Sequence, residues 1–278
     1  MKSRLNSSPF ENYPVTTRYS VDHWLSEHCR DTLDDNVAAE VPIAICYCGI
    51  SHVVMMMTPA DLENFAIGFS ISEGIIQASQ DIRDIIITKQ PNGIELDIQI
   101  SSRQFSQLKH KRRNMIGQSG CGICGVESLD SINRPIEKIT SDQNRPNYKA
   151  ILTASNLLSE QQKMKRLSGA HHAAAWCNLN GTVQLVREDI GRHNALDKVI
   201  GALFQKQIDI SKGFLLVSSR ASYEMVLKAA VTKIPSMVSI SAATDLAITT
   251  AKEANLSLAG FIRDGRIVAY HWPGSSTL

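Results

Sequence analysis

Residues 213–262, GFLLVSSRASYEMVLKAAVTKIPSMVSISAATDLAITTAKEANLSLAGFI, decide the fold. Three short apolar runs stand out: FLLVS at 214–218, SMVSI at 236–240 and LSLAGFI at 256–262. Two stretches with helical apolar spacing, 221–232 and 243–254, separate them. Strands alternating with helices of about twelve residues make an α/β layer with a partly parallel sheet. The pattern extends both ways. A helix at 192–205 precedes the first strand, and strands near 172–179 and 182–188 meet at Asn180-Gly181, behind a helix at 154–167. Downstream, Arg263-Asp264-Gly265 turns into a last strand, RIVAY.

The first half is different. VPIAICYC (41–48) and HVVMMM (52–57) flank Gly49-Ile50-Ser51 as a hairpin, with Met55-Met56-Met57 read as strand core. Thr58-Pro59-Ala60-Asp61 supplies a capping hydroxyl, a proline and an acid to start a helix that stops at Gly74. Strands at 82–88 and 94–100 surround Pro91-Asn92-Gly93, and a helix at 101–113 ends in the basic run Lys109, His110, Lys111, Arg112, Arg113. Glycine-rich 114–127 and polar 130–150 read as loops. The expected division is a tail at 1–14, a smaller mixed α+β N-terminal domain at 15–117 and an α/β domain at 118–278.

Composition narrows the function classes. At 278 residues, 43% hydrophobic and 20% charged, the chain has the profile of a globular protein, and no apolar run approaches the ~18 residues of a membrane span. The polar N-terminus lacks the apolar core of an export signal, so a cytoplasmic protein is expected. With 29 basic and 27 acidic residues, a generic nucleic-acid binder is not expected. The basic run is a solvated helix end or a docking site for an anionic partner.

Of six cysteines, Cys29, Cys46, Cys48, Cys121, Cys124 and Cys177, two stand in Gly120-Cys121-Gly122-Ile123-Cys124-Gly125. A zinc site would need two further ligands, and neither Cys46-x-Cys48 nor His171-His172 is a good supplier. A thioredoxin-like pair would cap a helix, which VESLDSINRP does not favour. A mobile nucleophilic thiol that carries a group such as sulfane sulfur suits the free glycine backbone and the nearby cations, which lower a thiolate pKa. Unreactive cysteines complete the alternatives.

Polar residues also gather where the α/β strands end: Glu188-Asp189-Ile190-Gly191, Ser218-Ser219-Arg220, Ser241 and Arg263-Asp264-Gly265. Each alone reads as a cap or surface turn. Together they suit a phosphate or nucleotide, because carboxyl ends of strands and helix N-termini collect such ligands. His193, Asn194 and Asp197 open the next helix and are expected to face that pocket, with Lys198 solvated.

The runs GCGICG, GAHHAAA, REDIGRHNALDKVIGA, SSRASYEMVLKA, SAATDLA and AGFIRDGR resemble the FdhD family of formate dehydrogenase accessory sulfurtransferases, over most of residues 15–278. The resemblance implies a sulfurtransferase. It would take sulfur from a cysteine desulfurase as a cysteine persulfide and pass it to the molybdenum cofactor, a bis-molybdopterin guanine dinucleotide, for formate dehydrogenase. Cys121 would bear the persulfide and Cys124 would be its partner. Gly260, Phe261, Ile262, Arg263, Asp264 and Gly265 would bind the cofactor's guanine-nucleotide moiety. A passive cofactor chaperone and a zinc-stabilised α/β protein are the alternatives.

The resemblance also implies a cytidine-deaminase-like main domain. Zinc deaminases need H-x-E and P-C-x-x-C. Here His193-Asn194-Ala195 has alanine for the glutamate and Ser218–Ser222 has no cysteine, so neither deamination nor a resident metal is expected. A homodimer is expected for this kind of α/β domain.

Overall fold

A computed structural model describes residues 13–27, 29–115, 136–140 and 145–274. The expected tail at 1–14 lies almost wholly outside them, as does the expected boundary at 117/118.

The chain opens with a hairpin that sequence reading passed over, β1 (Thr16–Ser26) and β2 (Cys29–Ala38), a two-stranded sheet of its own. Next come β3 (Val41–Tyr47), β4 (Ile50–Met57), α1 (Leu62–Ser72), β5 (Ile82–Gln90), β6 (Gly93–Ile100) and α2 (Ser102–Met115). Their sheet has the order β4-β3-β6-β5, with β3 parallel to β6 and the outer pairs antiparallel. Ile43, Ile45, Tyr47, Leu96 and Ile98 turn their alternate side chains onto α1, whose residues are buried almost throughout. Of the three methionines only Met57 is fully buried, and Met56 faces outward.

The remainder holds α3 (Tyr148–Gln161), α4 (Lys163–Ser168), β7 (His172–Asn178), β8 (Val183–Asp189), α5 (Arg192–Gln205), β9 (Gly213–Val217), α6 (Tyr223–Val231), β10 (Ser236–Ser239), α7 (Asp245–Ala254), β11 (Ser257–Arg263) and β12 (Arg266–His271). Asn147 caps α3 through the amide of Ala150, so this helix begins six residues earlier than the expected 154. The six-stranded sheet runs β12-β11-β10-β9-β7-β8. Strands β9, β10 and β11 are parallel, while β7 and β12 are antiparallel to their neighbours. Trp176, Leu215, Met237 and Leu258 face α5, α6 and α7; Cys177, Phe214, Leu216 and Val238 face α3. The fold class is thus α/β, with a partly parallel sheet covered on both faces, as expected.

One crossing joins the two larger sheets. Helix α1 lies against α5 so tightly that a β-carbon on Gly68 would stand 1.7 Å from the carbonyl oxygen of Asp197, and one on Gly201 1.8 Å from that of Asn64. Thr58, expected to cap α1, bonds elsewhere: its hydroxyl accepts from Ile190 N, and its amide donates to Asp189. Asp61, in the left-handed region, precedes the helix instead. No helix among the described residues is long and apolar enough to cross a membrane.

Candidate functional site

The parallel strands β8, β9, β10 and β11 end along one edge, where β7 also begins, and α5, α6 and α7 start there. The helix caps are Gly191, Ser222 and Thr244, and none makes a side-chain capping bond. First-turn amides without caps are open donors, and the helix dipoles add positive potential. An open α/β edge with three such helix starts is an arrangement in which proteins hold phosphate-bearing ligands.

The 260–265 turn lies at the β11 end of this edge. Pairing of β11 with β12 shifts register twice, between Leu258 and Ala259 and again between Gly260 and Arg263, where the ladder resumes at Arg263–Arg266. Phe261, within the break, has positive φ (54°), and Asp264 and Gly265, at 51° and 76°, make the two-residue turn between β11 and β12. Gly260 is required by contact, because a β-carbon there would meet Ser239 Oγ at 2.3 Å and Ser241 O at 2.9 Å. Ser239 Oγ donates to Ser241 O (2.7 Å), which also accepts from Phe261 N (3.1 Å). Tyr148 Oη donates to Gly265 O, anchoring the tip to α3. Phe261, Arg263, Asp264 and Gly265 are exposed, Ile262 is half-buried, and Arg266 stacks over Phe261 at 5.7 Å. The turn thus presents an aromatic ring and a guanidinium to solvent, while the amides of Phe261 and Ile262 are held by Ser241 O and Ile240 O.

The other expected pocket residues divide. Arg220 and Ser241 are exposed at the edge. Ser218 is structural, its hydroxyl accepting from Ala173 N at 2.8 Å, and Ser219 Oγ donates to Arg220 O. His193 is at the edge, its Nε2 2.7 Å from Glu224 Oε2, and burial holds its pKa below the ordinary imidazole value despite that carboxylate.

Asn194, Asp197 and Lys198 turn away from the edge. Asn194 donates to Asp189 Oδ1 and Met56 O. Asp197 accepts from Ser72 Oγ and, at 2.9 Å, from Lys228 Nζ. Burial works against the Lys228 ammonium, but Asp197 and Glu73 more than offset it and raise its pKa. Lys198, expected in solvent, has no exposed surface and donates to Asp189 Oδ2 (2.5 Å) and Thr58 O (3.0 Å). Glu188 is also engaged, accepting from Met164 N and Lys165 N at the start of α4. Asp197 and Lys228 fasten α1 to α5 and α6, Asn194 and Lys198 tie α5 to Met56, Thr58 and β8, and Glu188 holds the start of α4 to β8.

Cys121 and Cys124 lie outside the described residues. Among the described cysteines, Cys46 and Cys177 are buried and desolvation raises both thiol pKa values, Cys177 to about 12. Neither offers a thiolate at neutral pH. His171 Nδ1 is bonded to Ser168 Oγ, and no group of three His, Cys, Asp or Glu side chains among the described residues is placed to hold a metal.

Comparison with known proteins places this edge in a family. The model of the FdhD/NarQ family matches residues 38–276, and the chain belongs to that family. The Sulfur carrier protein FdhD of Cupriavidus necator is 46% identical over 260 residues, 94% of this chain and 90% of that one. Its counterpart in Xanthomonas euvesicatoria pv. vesicatoria is 48% identical over 242 residues, 87% and 86% of the two chains. A solved structure described as a formate dehydrogenase accessory protein, from Desulfotalea psychrophila, superposes with a TM-score of 0.74 at 23% identity, covering 94% of this chain and 98% of that one.

Proposed function

We propose that this chain is a sulfurtransferase that accepts sulfur from a cysteine desulfurase as a cysteine persulfide. It delivers that sulfur to the molybdenum cofactor, bis-molybdopterin guanine dinucleotide, and formate dehydrogenase activity depends on the delivery. The observation that carries this reading is the Cys121-Gly-Ile-Cys124 pair inside the stretch matched by a family whose relatives are named sulfur carriers. The exposed 260–265 turn supports the second half of the reading, as a place for a guanine-nucleotide arm of the substrate.

The chemistry balances with two thiols. The Cys121 thiolate attacks the outer sulfur of the donor persulfide; a new S–S bond forms on Cys121, the donor S–S bond breaks, and the donor leaves as a thiolate. Attack by the Cys124 thiolate on the inner sulfur then closes a Cys121–Cys124 disulfide and expels the terminal sulfur as sulfide, which the molybdenum substrate accepts. A cellular dithiol reopens the disulfide, becoming oxidised itself. Gly260–Gly265 hold the nucleotide arm through the Arg263 guanidinium. The protein works as a cytoplasmic homodimer, with the desulfurase as donor, formate dehydrogenase as client and the 109–113 basic run as a docking site for one of them.

Complementation tests the reading. In cells lacking this protein, the wild-type chain restores formate dehydrogenase activity, while Cys121→Ala, present at the same level, restores none. Full activity with Cys121→Ala ends the persulfide role and leaves a chaperone that only escorts the cofactor.

A further inference from the structure

The opposite end of the six-stranded sheet, away from the edge where α5, α6 and α7 begin, holds a second polar cluster. Ser236 opens β10, Ser257 opens β11 and His271 closes β12, so the three meet at one end of adjacent strands. Ser257 and Arg263 stand at the two ends of β11, about 20 Å apart. Ser236 and Ser257 are partners in a parallel register, which puts both side chains on one face. That face is the α3 side, because Val238, two residues on from Ser236, packs there. Arg145, three residues before α3, donates from Nε to Ser257 Oγ at 2.7 Å. Tyr270 packs on the other face, so His271 beside it turns toward Arg145.

Two polar groups in this cluster are buried and unpaired. Ser236 is 0% exposed, and its Oγ makes no hydrogen bond among the described residues; Nε2 of half-buried His271 makes none either. Buried polar atoms are almost always paired, with protein or with something bound, so two orphans on neighbouring strands mark room for an outside partner. The surroundings set the sign of its charge. Burial, Lys252 and Arg145 together hold the His271 pKa below the ordinary imidazole value, and both charged groups are cations. The negative end of the α7 dipole is already answered, since the carbonyls of Ala251, Lys252 and Ala254 accept from the amides of Leu256, Asn255 and Ile139. A water molecule would answer the orphans alone, whereas an anion answers the orphans and the cations.

We infer that this end of the sheet is a site for a small tetrahedral oxyanion of the sulfate or phosphate class, held by the Ser236 hydroxyl, the Arg145 guanidinium and the His271 ring, with Lys252 at its rim. Strands β10 and β12 flank β11, so Ser236 and His271 stand about 10 Å apart and close on the space beside Ser257 from its two sides. The site is independent of the 260–265 turn and of any nucleotide held there.

Sodium sulfate titrated into the full chain, with the histidine ring signals followed by NMR, tests the site at His271 itself. Sulfate keeps one charge across the range in which histidine titrates, so any pH dependence belongs to the protein. The His271 signal, assigned by its absence from His271→Gln, shifts saturably with sulfate. Binding is severalfold tighter near pH 6 than near pH 8, because a bound anion favours the protonated ring. Arg145→Gln weakens binding about tenfold and Ser236→Ala severalfold. Ser236→Ala removes only an unpaired hydroxyl and stays folded. Thermal unfolding checks both variants, and if Arg145→Gln is not folded, Ser236→Ala decides. The site is overturned if the His271 signal ignores sulfate, if the affinity is indifferent to pH, or if the folded variants bind sulfate as the wild type does.

Discussion

Gly68 of α1 and Gly201 of α5 face each other where the helices cross, each leaving space for the other helix's backbone alone. A methyl group on either would stand within 1.8 Å of a carbonyl oxygen across the crossing. Gly201→Ala must push the helices apart, and overpacking of this kind costs about 2–3 kcal/mol. The thermal midpoint should fall by roughly 5–10 °C. An unchanged midpoint in differential scanning calorimetry would mean that the crossing is loose.

The same junction holds a buried charge pair. Lys198 and Asp189 have no exposed side-chain surface, and Asp189 also accepts from Thr58 N, Gly191 N and Asn194 Nδ2. Lys198→Met removes one charge and leaves the other buried, at a cost of about 3–5 kcal/mol. Replacing both, with Asp189→Asn added, should recover part of that loss. Urea unfolding of the two variants measures it, and equal midpoints for Lys198→Met and the wild type would contradict the pairing.

Acid should weaken the fold through His171. Burial keeps its imidazole neutral and its pKa below 6.5, although Glu188 and Asp189 pull the other way and Lys198 adds to the burial effect. The unfolded chain binds the proton more readily, so this stability is present above about pH 6.5 and drains away as pH falls from there through the folded pKa. Urea midpoints should drop between pH 7.5 and pH 5.5, and His171→Gln should flatten that slope. A slope that His171→Gln leaves intact assigns the loss to other groups.

How much of this was readable in the chain depends on the range of the interactions. The apolar runs of β9, β10 and β11 announced a buried parallel layer because such strands are apolar on both faces. The 260–265 turn was readable as a polar break directly after a strand. The β1–β2 hairpin was not, since Asp22, Asp31, Asp34 and Asp35 dilute its apolar alternation and Trp24 and Leu25 face solvent. Lys198 was misread because neither group that holds it lies within a helical turn: Asp189 is nine residues back on β8, and the carbonyl of Thr58 is 140 residues away. Nothing within one helical turn of a lysine reveals such a partner. Gly68 and Gly201 look like weak points in helices until the crossing is seen.

Arg263→Ala tests the turn. Its guanidinium is exposed and its contact with Asp264 is long, 3.6 Å, so the midpoint of unfolding should not move. GDP affinity should fall about tenfold, the loss of one charge-assisted hydrogen bond or two. A stable variant with undiminished GDP affinity would remove Arg263 from the site.

The most direct measurement is intact-protein mass spectrometry after incubation with a cysteine desulfurase and cysteine, with peptide mapping of the wild type, Cys121→Ala and Cys124→Ala. Sulfur carriage predicts one added sulfur atom, removed by a dithiol reductant, that maps to Cys121 and is absent from Cys121→Ala. No added sulfur on a folded chain that still binds GDP would contradict it, leaving a cofactor escort in which the CGIC pair carries nothing.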